Sequence, residues 1–306
     1  MSKAGRRSTR PRASRAAGRT QPAKGRRRGR LLAGAALVGV VALGAIAFVI
    51  LRPGGSSTVA WSRLGTQDVH SLAFVGDDPS RLLFGHHGGV LSSPDGGRSW
   101  QALGSRADAM SLEPAADGSI VIAGHDVLSE SRDGGRTWQD IPAALPSLDI
   151  HGFARDPTDP DRMWAYLATG GLWESGDGGL TWEQVQQENV LFPAAVAGPS
   201  GTRLFGVTAS GLASSDDGGR TWTGAASPEI YPIASLAATA DGRVLVAGGP
   251  GGMARSDDGG ASWSKLPFEG QVLVVAVTAG GSTIVVVTRS TEFFRSDDGG
   301  RTWPGP

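Results

Sequence analysis

The sequence of 306 residues has no cysteine, only two tyrosines, and no acidic residue among its first thirty positions. Without cysteine there is no disulfide to brace the fold and no thiol for lipid attachment. The shortage of tyrosine confines any phenolic nucleophile to Tyr166 or Tyr231. The missing acids leave twelve Lys and Arg uncompensated in residues 1–30, among them Arg6, Arg7, Arg26, Arg27, Arg28 and Arg30. Taken alone, such a run points to nucleic acid.

The next segment redirects that reading. Residues 31–51 carry no charge, and as a helix they would reach about 31 Å, enough to cross a bilayer. A basic flank on the N-terminal side predicts a cytoplasmic tail and an outside C-terminal body. The apolar run exceeds the roughly 7–15 residues of a cleavable signal peptide. A small-x-small pattern, Ala45-Ile46-Ala47, lies inside it rather than after it. The expectation is an uncleaved signal anchor in the cell membrane, with tail 1–30, span 31–51, flexible linker 52–58 and an outer domain over 59–306.

The formal net charge of zero conceals two opposite parts. Residues 53–306 hold 16 basic residues and all 29 acidic ones, a balance near −13. An acidic body disfavours nucleic acid and anionic lipid as partners.

What the chain has in abundance is one octad. Ser131-Arg132-Asp133-Gly134-Gly135-Arg136-Thr137-Trp138 recurs with starts at Ser93, Ser175, Ser215, Ser256 and Ser296. From Trp100 to Trp303 is 203 residues in five steps, a mean period of 40.6. That period fits one four-stranded propeller blade. In each copy Gly96, Gly134, Gly178, Gly218, Gly259 or Gly299 can supply the positive φ of a tight turn. Asp95, Asp133, Asp177, Asp217, Asp258 and Asp298 can accept backbone N–H bonds within it. Each Trp offers an apolar plate for packing between blades. Six near-identical copies suit a scaffold better than a single active site.

The octad resembles the Asp-box, or BNR repeat, of sialidases, other glycoside hydrolases, sortilin-type receptors and photosystem II assembly factors. The resemblance covers roughly residues 66–303. It implies an all-β, six-bladed propeller with the octad between the third and fourth strands of each blade. It also implies that the face opposite the octads binds the ligand.

Only Pro304-Gly305-Pro306 follows the last octad, too little for a fourth strand. Trp61-Ser62-Arg63-Leu64-Gly65 reads like Trp100-Gln101-Ala102-Leu103-Gly104, the segment after the first octad. A strand over 59–64 is therefore expected to complete the last blade and close the ring. The acids of the turn at 156–161 look like a metal loop but also suit a plain turn.

Antiparallel strands divide the loops between two faces. All five histidines fall on the face away from the octads: His70 and His151 where blades one and three begin, His86, His87 and His125 in second-to-third loops. Aligned inner strands match His70 with Met110 and His151, each preceded by an Asp two residues back: Asp68, Asp108 and Asp149. Blades four to six have Phe192, Pro232 and Val272 at the Asp position, and Ala194, Ala234 and Val274 at the other. A polar sector therefore covers half the ring.

Two functions compete. The first is a membrane-anchored extracytoplasmic module that binds a glycan, a metal or a protein through His70, His86, His87, Met110, His125, His151 and Arg289. Imidazoles suit zinc or copper, and His70, His86, His87 and His125, with Asp68 and Asp108 beside them, frame the expected site; Met110 would favour copper. The second is a hydrolase using Asp68, Asp108 and Asp149 as paired carboxylates. A sialidase-like version would need a Tyr–Glu pair, for which Tyr231 with Glu229 stands out. The arginine triad that the resemblance implies is not evident beyond Arg106 and Arg289, and the Arg-Ile-Pro motif is absent.

Overall fold

The computed structural model describes residues 60–305 apart from 65 and 67. The basic tail, the apolar segment 31–51 and the linker lie outside the described residues. Among the described residues no helix is long and apolar enough to cross a membrane.

Six four-stranded antiparallel sheets follow one another along the chain. Blade one runs, inner to outer, through Ser71–Phe74, Leu82–His86, Gly89–Ser93 and Gln101–Ala102. The other inner strands are Ser111–Pro114, Ile150–Arg155, Leu191–Gly198, Ser235–Ala238 and Val272–Val277. Each inner strand touches the next, and that of blade six touches that of blade one, so the ring is closed.

The sixth sheet pairs Val272–Val277, Ile284–Thr288 and Glu292–Ser296 with Ser62–Arg63 from the N-terminal side. The closing strand is shorter than expected. Backbone bonds nevertheless flank it, from Trp61 N to Phe293 O (2.8 Å) and Leu64 N to Thr291 O (3.3 Å). Ser62 Oγ also reaches Gly97 O of the first octad at 2.5 Å.

Strand alternation explains the core. In Leu82–His86, Leu82 and Phe84 face blade six while Leu83 faces blade two. Repeating this around the ring gives six apolar clusters, one at each seam between blades. The seam of blades one and six joins Leu72, Phe74 and Phe84 to Val285, Val287 and Phe293, with Trp61 and Trp100 packed against it. Each such buried side chain contributes about 1.5–3 kcal/mol.

The octads form one repeated turn. The Ser hydroxyl donates to the Asp (2.7–3.0 Å) and accepts the N–H of the second Gly (2.8–3.0 Å). The same Asp accepts the N–H and the hydroxyl of the Ser or Thr before the Trp. Donors on a charged carboxylate hold all six Asp near a pKa of about 2. The neighbouring hydroxyl is the largest cause in Asp95, Asp133, Asp177 and Asp258. In Asp217 and Asp298 burial pushes hardest, upward, and the hydrogen bonds together outweigh it. The second glycine also has positive φ, for instance +94° at Gly97, where a Cβ would lie 2.2 Å from the Phe293 ring.

Candidate functional site

The face away from the octads is built from the segments entering the inner strands and from the turns between second and third strands. Neighbouring blades are tied there by backbone. Ala109 N donates to His86 O, Asp126 N donates to Leu148 O, and His125 bridges Asp149. Gly124 lets the entry segment of its own blade come close, since a Cβ there would sit 2.2 Å from Asp108 O.

On this frame seven side chains form an arc across blades one to three. Asp68 takes His70 Nε2 on Oδ1 (2.9 Å) and His87 Nδ1 on Oδ2 (2.5 Å), and the His87 backbone N–H also donates to Oδ2 (2.6 Å). His87 Nε2 lies 3.9 Å from Asp108 Oδ2, and the same oxygen meets His125 Nδ1 at 2.5 Å. His125 Nε2 continues to His151 Nε2 (3.2 Å) and Asp149 Oδ1 (3.5 Å), and His151 Nε2 lies 3.0 Å from Asp149 Oδ1. Three overlapping sets of potential ligand atoms result: Asp68, His70 and His87; His87, Asp108 and His125; His125, Asp149 and His151.

Burial is uneven. The Asp108 side chain is only 10% exposed, and its Oδ1 is buried with no hydrogen-bond partner. Asp149, His125 and His151 are each about 40% exposed. Desolvation lowers the pKa of His70, against the pull of Asp68. For Asp68 burial acts upward, and the His87 N–H and the two imidazoles outweigh it, so its pKa falls. Glu113, on the inner strand of blade two that follows Asp108, is half-buried by exposed area. Protein nevertheless surrounds its carboxyl closely enough that desolvation pushes its pKa up to about 8, against Arg155.

The arc differs from the site expected from sequence in three members: His86 is missing, and Asp149 and His151 are added. His86 stands apart: its ring stacks on Phe84 and its Nδ1 accepts the Gly88 N–H. The strand ends at His86 and His87 opens the tight turn, so the two rings leave the backbone in different directions. His151 does join, although two blades separate it from His70. His125 carries the arc into blade three, and the ladder register shifts between Ile150 and Gly152, making His151 the extra residue of a β-bulge. Bulges re-aim a side chain in this way. The sequence placed His151 on this face, but gave no sign of the bulge.

The remaining candidates are scattered. Met110 packs beside Gly124. Arg289 is exposed on the blade-six turn, its backbone N–H donating to Gln271 O. Glu229 and the 88% exposed Tyr231 lie where blade four crosses to blade five. The acids of the 156–161 turn serve the turn: Asp156 accepts the N–H groups of Thr158 and Asp159 and the hydroxyls of Thr158 and Thr202. The three carboxylates of the arc come from three successive blades. An imidazole stands between each successive pair, along an open rim. Two surface depressions lie instead on the octad face, lined by residues such as Glu130, Asp133 and Thr137 or Arg203, Asp216 and Asp217.

Among solved structures, a GH74 enzyme of Niastella koreensis superposes with a TM-score of 0.53 at 16% identity, over 79% of this chain and 47% of that one. The chain thus spans about half the length of that enzyme. YCF48 from Cyanidioschyzon merolae superposes with a TM-score of 0.52 at 18% identity, over 80% and 87% of the two chains. YCF48 bound to D1 peptide gives 0.51 at 20% identity, over 79% and 82%. At such identities the likeness concerns the fold. No curated protein matches the sequence. The DUF6242 beta propeller domain matches residues 127–305, more than half the chain, and the protein belongs to that family.

Proposed function

We propose that this protein is a membrane-anchored, extracytoplasmic binding module whose ligand face is the His/Asp arc of blades one to three. The observation that carries this reading is the arc itself: seven polar side chains joined across three blades on an open rim, with no counterpart at the aligned positions of blades four to six. Carboxylates spaced by imidazoles along a rim suit recognition better than in-line hydrolysis. The two YCF48 structures cover most of both chains, and one of them holds a peptide, which supports a protein ligand. The six octads read as Asp-boxes of the BNR type, with a scaffold role, because every one spends its Asp on its own turn. Residues 31–51 supply the single span, with tail 1–30 in the cytoplasm and the propeller outside.

A photo-crosslinking amino acid in the full chain, expressed in its own membranes, tests this reading. Thr169, exposed on the arc-face turn of blade three, and Arg136, exposed on the octad face, are the two insertion points. Adducts are expected from position 169 and not from 136. Equal yields from both positions, or none, overturn the reading. So does turnover of aryl glycosides by the full chain that is lost in Asp68→Asn and Asp108→Asn, which would establish the hydrolase instead.

A further inference from the structure

We infer that the arc holds a divalent first-row transition metal, and that His125 Nε2, His151 Nε2 and Asp149 Oδ1 bind it. The inference rests on the arc being the ligand face and names one of its ligands. Four observations lead there.

The first is spacing. The three ligand atoms are 3.0, 3.2 and 3.5 Å apart. Tetrahedral zinc bonds of ~2.0 Å place ligand atoms about 3.3 Å from one another. The triangle is therefore already the right size for an ion seated just above its plane.

The second is proton placement. His125 Nδ1 lies 2.5 Å from Asp108 Oδ2, a contact that assigns the ring proton to Nδ1. Nε2 is then a bare acceptor, aimed at a second imidazole nitrogen and a carboxylate oxygen. A cation among His125 Nε2, His151 Nε2 and Asp149 Oδ1, all within 3.5 Å of one another, satisfies all three when His151 carries its proton on Nδ1. In the first set His70 Nε2, His87 Nδ1 and the Asp68 oxygens lie 2.5–2.9 Å apart, tighter than zinc ligands, and Asp68 also accepts the His87 backbone N–H.

The third is the layer behind the ligands. A carboxylate that holds the far nitrogen of a ligating His fixes its orientation and raises its basicity. Asp108 is placed for this role, nine-tenths buried, with Oδ1 lacking any partner. A buried carboxylate oxygen without a hydrogen-bond partner is costly unless positive charge lies close by. A metal one imidazole away supplies it.

The fourth is access. His125, Asp149 and His151 are all partly exposed, so a fourth coordination position opens to solvent and can accept a ligand from outside. The bulge at His151 is the backbone feature that brings the third ligand to this opening.

The test uses the untagged full chain in detergent, stripped with a chelator and dialysed against zinc chloride, with bound metal measured after a second dialysis. About one zinc per chain is expected. His151→Ala and Asp149→Ala should each weaken retention by at least 100-fold. Asp108→Asn should weaken it by about 10–100-fold, the range typical of such positioning partners. His86→Ala should leave it unchanged, and His70→Ala should change it by less than about threefold. Cobalt in the same site should give visible d–d absorption that Asp108→Asn shifts and Asp108→Glu restores, a change that mere loss of stability would not produce. Melting curves matching the parent exclude unfolding as the cause of any loss.

Retention unchanged in both His151→Ala and Asp149→Ala overturns the assignment. Loss in Asp68→Ala and His70→Ala alone would move the ion to the first set and equally overturn it. No zinc on the parent chain, with adducts still formed from position 169, removes the metal and leaves the binding face standing. Zinc retained with no adducts keeps the metal and removes the binding reading.

Discussion

Blades one to three and blades four to six share their strands, octads and seam packing, but differ at the same two positions of their entry segments. In the first half those positions read Asp68 and His70, Asp108 and Met110, Asp149 and His151. In the second half they read Phe192 and Ala194, Pro232 and Ala234, Val272 and Val274. The half-ring of polar residues is not needed to close a propeller, because the other half closes without it. A second contrast sharpens the first. Every octad Asp is satisfied within its own turn, so that face has spent its polar capacity on the scaffold. The arc residues find their partners across blades, and Asp108 keeps an oxygen in reserve.

The scaffold side of this comparison should break most severely at the ring closure. Removing residues 59–65 deletes the outer strand of blade six and the packing of Trp61 and Leu64. Two apolar side chains account for about 3–6 kcal/mol, and at ~2–4 °C per kcal/mol for a domain of this size the melting temperature should fall by roughly 6–24 °C. Removing residues 1–52 should leave the melting temperature of the propeller as it was. Equal melting of the two truncations, followed by circular dichroism, would show that the N-terminal strand does not close the ring.

A smaller break tests whether the octads are interchangeable turns. Gly97→Ala forces a Cβ into the fully buried Phe293 at φ +94°, and should cost about 2–4 kcal/mol. Gly134→Ala meets open space at φ +76° and should cost about 1–2 kcal/mol, the backbone strain alone. Denaturant titration of both variants measures the difference, and equal losses would mean that seam contacts at the octad do not matter.

The smallest effects are expected from pH, and they separate the two faces. The octad carboxylates have folded pKa values of about 2, below their ordinary 3.8. Their contribution is present above about pH 4 and is lost as pH falls towards 2. Glu113 works the other way: its folded pKa of about 8 lies above the ordinary 4.5, so stability is lost as pH rises from about 4.5 and levels off above about 8. Glu113→Gln should therefore raise the melting temperature at pH 8 and leave it unchanged at pH 4. A thermal melt series across pH 2–9 decides each point, and an unchanged basic limb in Glu113→Gln would remove the account given for that residue.

Legibility in the sequence followed the range of the interactions. The octad is local: Ser, Asp, two Gly and a hydroxyl residue within eight positions complete their own hydrogen bonds, so six copies at a 40.6-residue spacing announce six blades. The inner strands and the closing segment near Trp61 were legible for the same reason, since each repeats a pattern seen elsewhere in the chain. Alternation of strands also determined that all five histidines share one face. Which of them meet was decided only in three dimensions. His86 and His87 are neighbours in sequence, and the change from strand to turn between them sends one to Phe84 and the other to Asp68. His151 reaches the arc because a single inserted residue breaks the ladder at Ile150 and because His125, from the blade before, spans the gap. Local chemistry sets a turn wherever it is written, whereas a site shared between blades depends on register and ring curvature, which no one segment of the chain encodes.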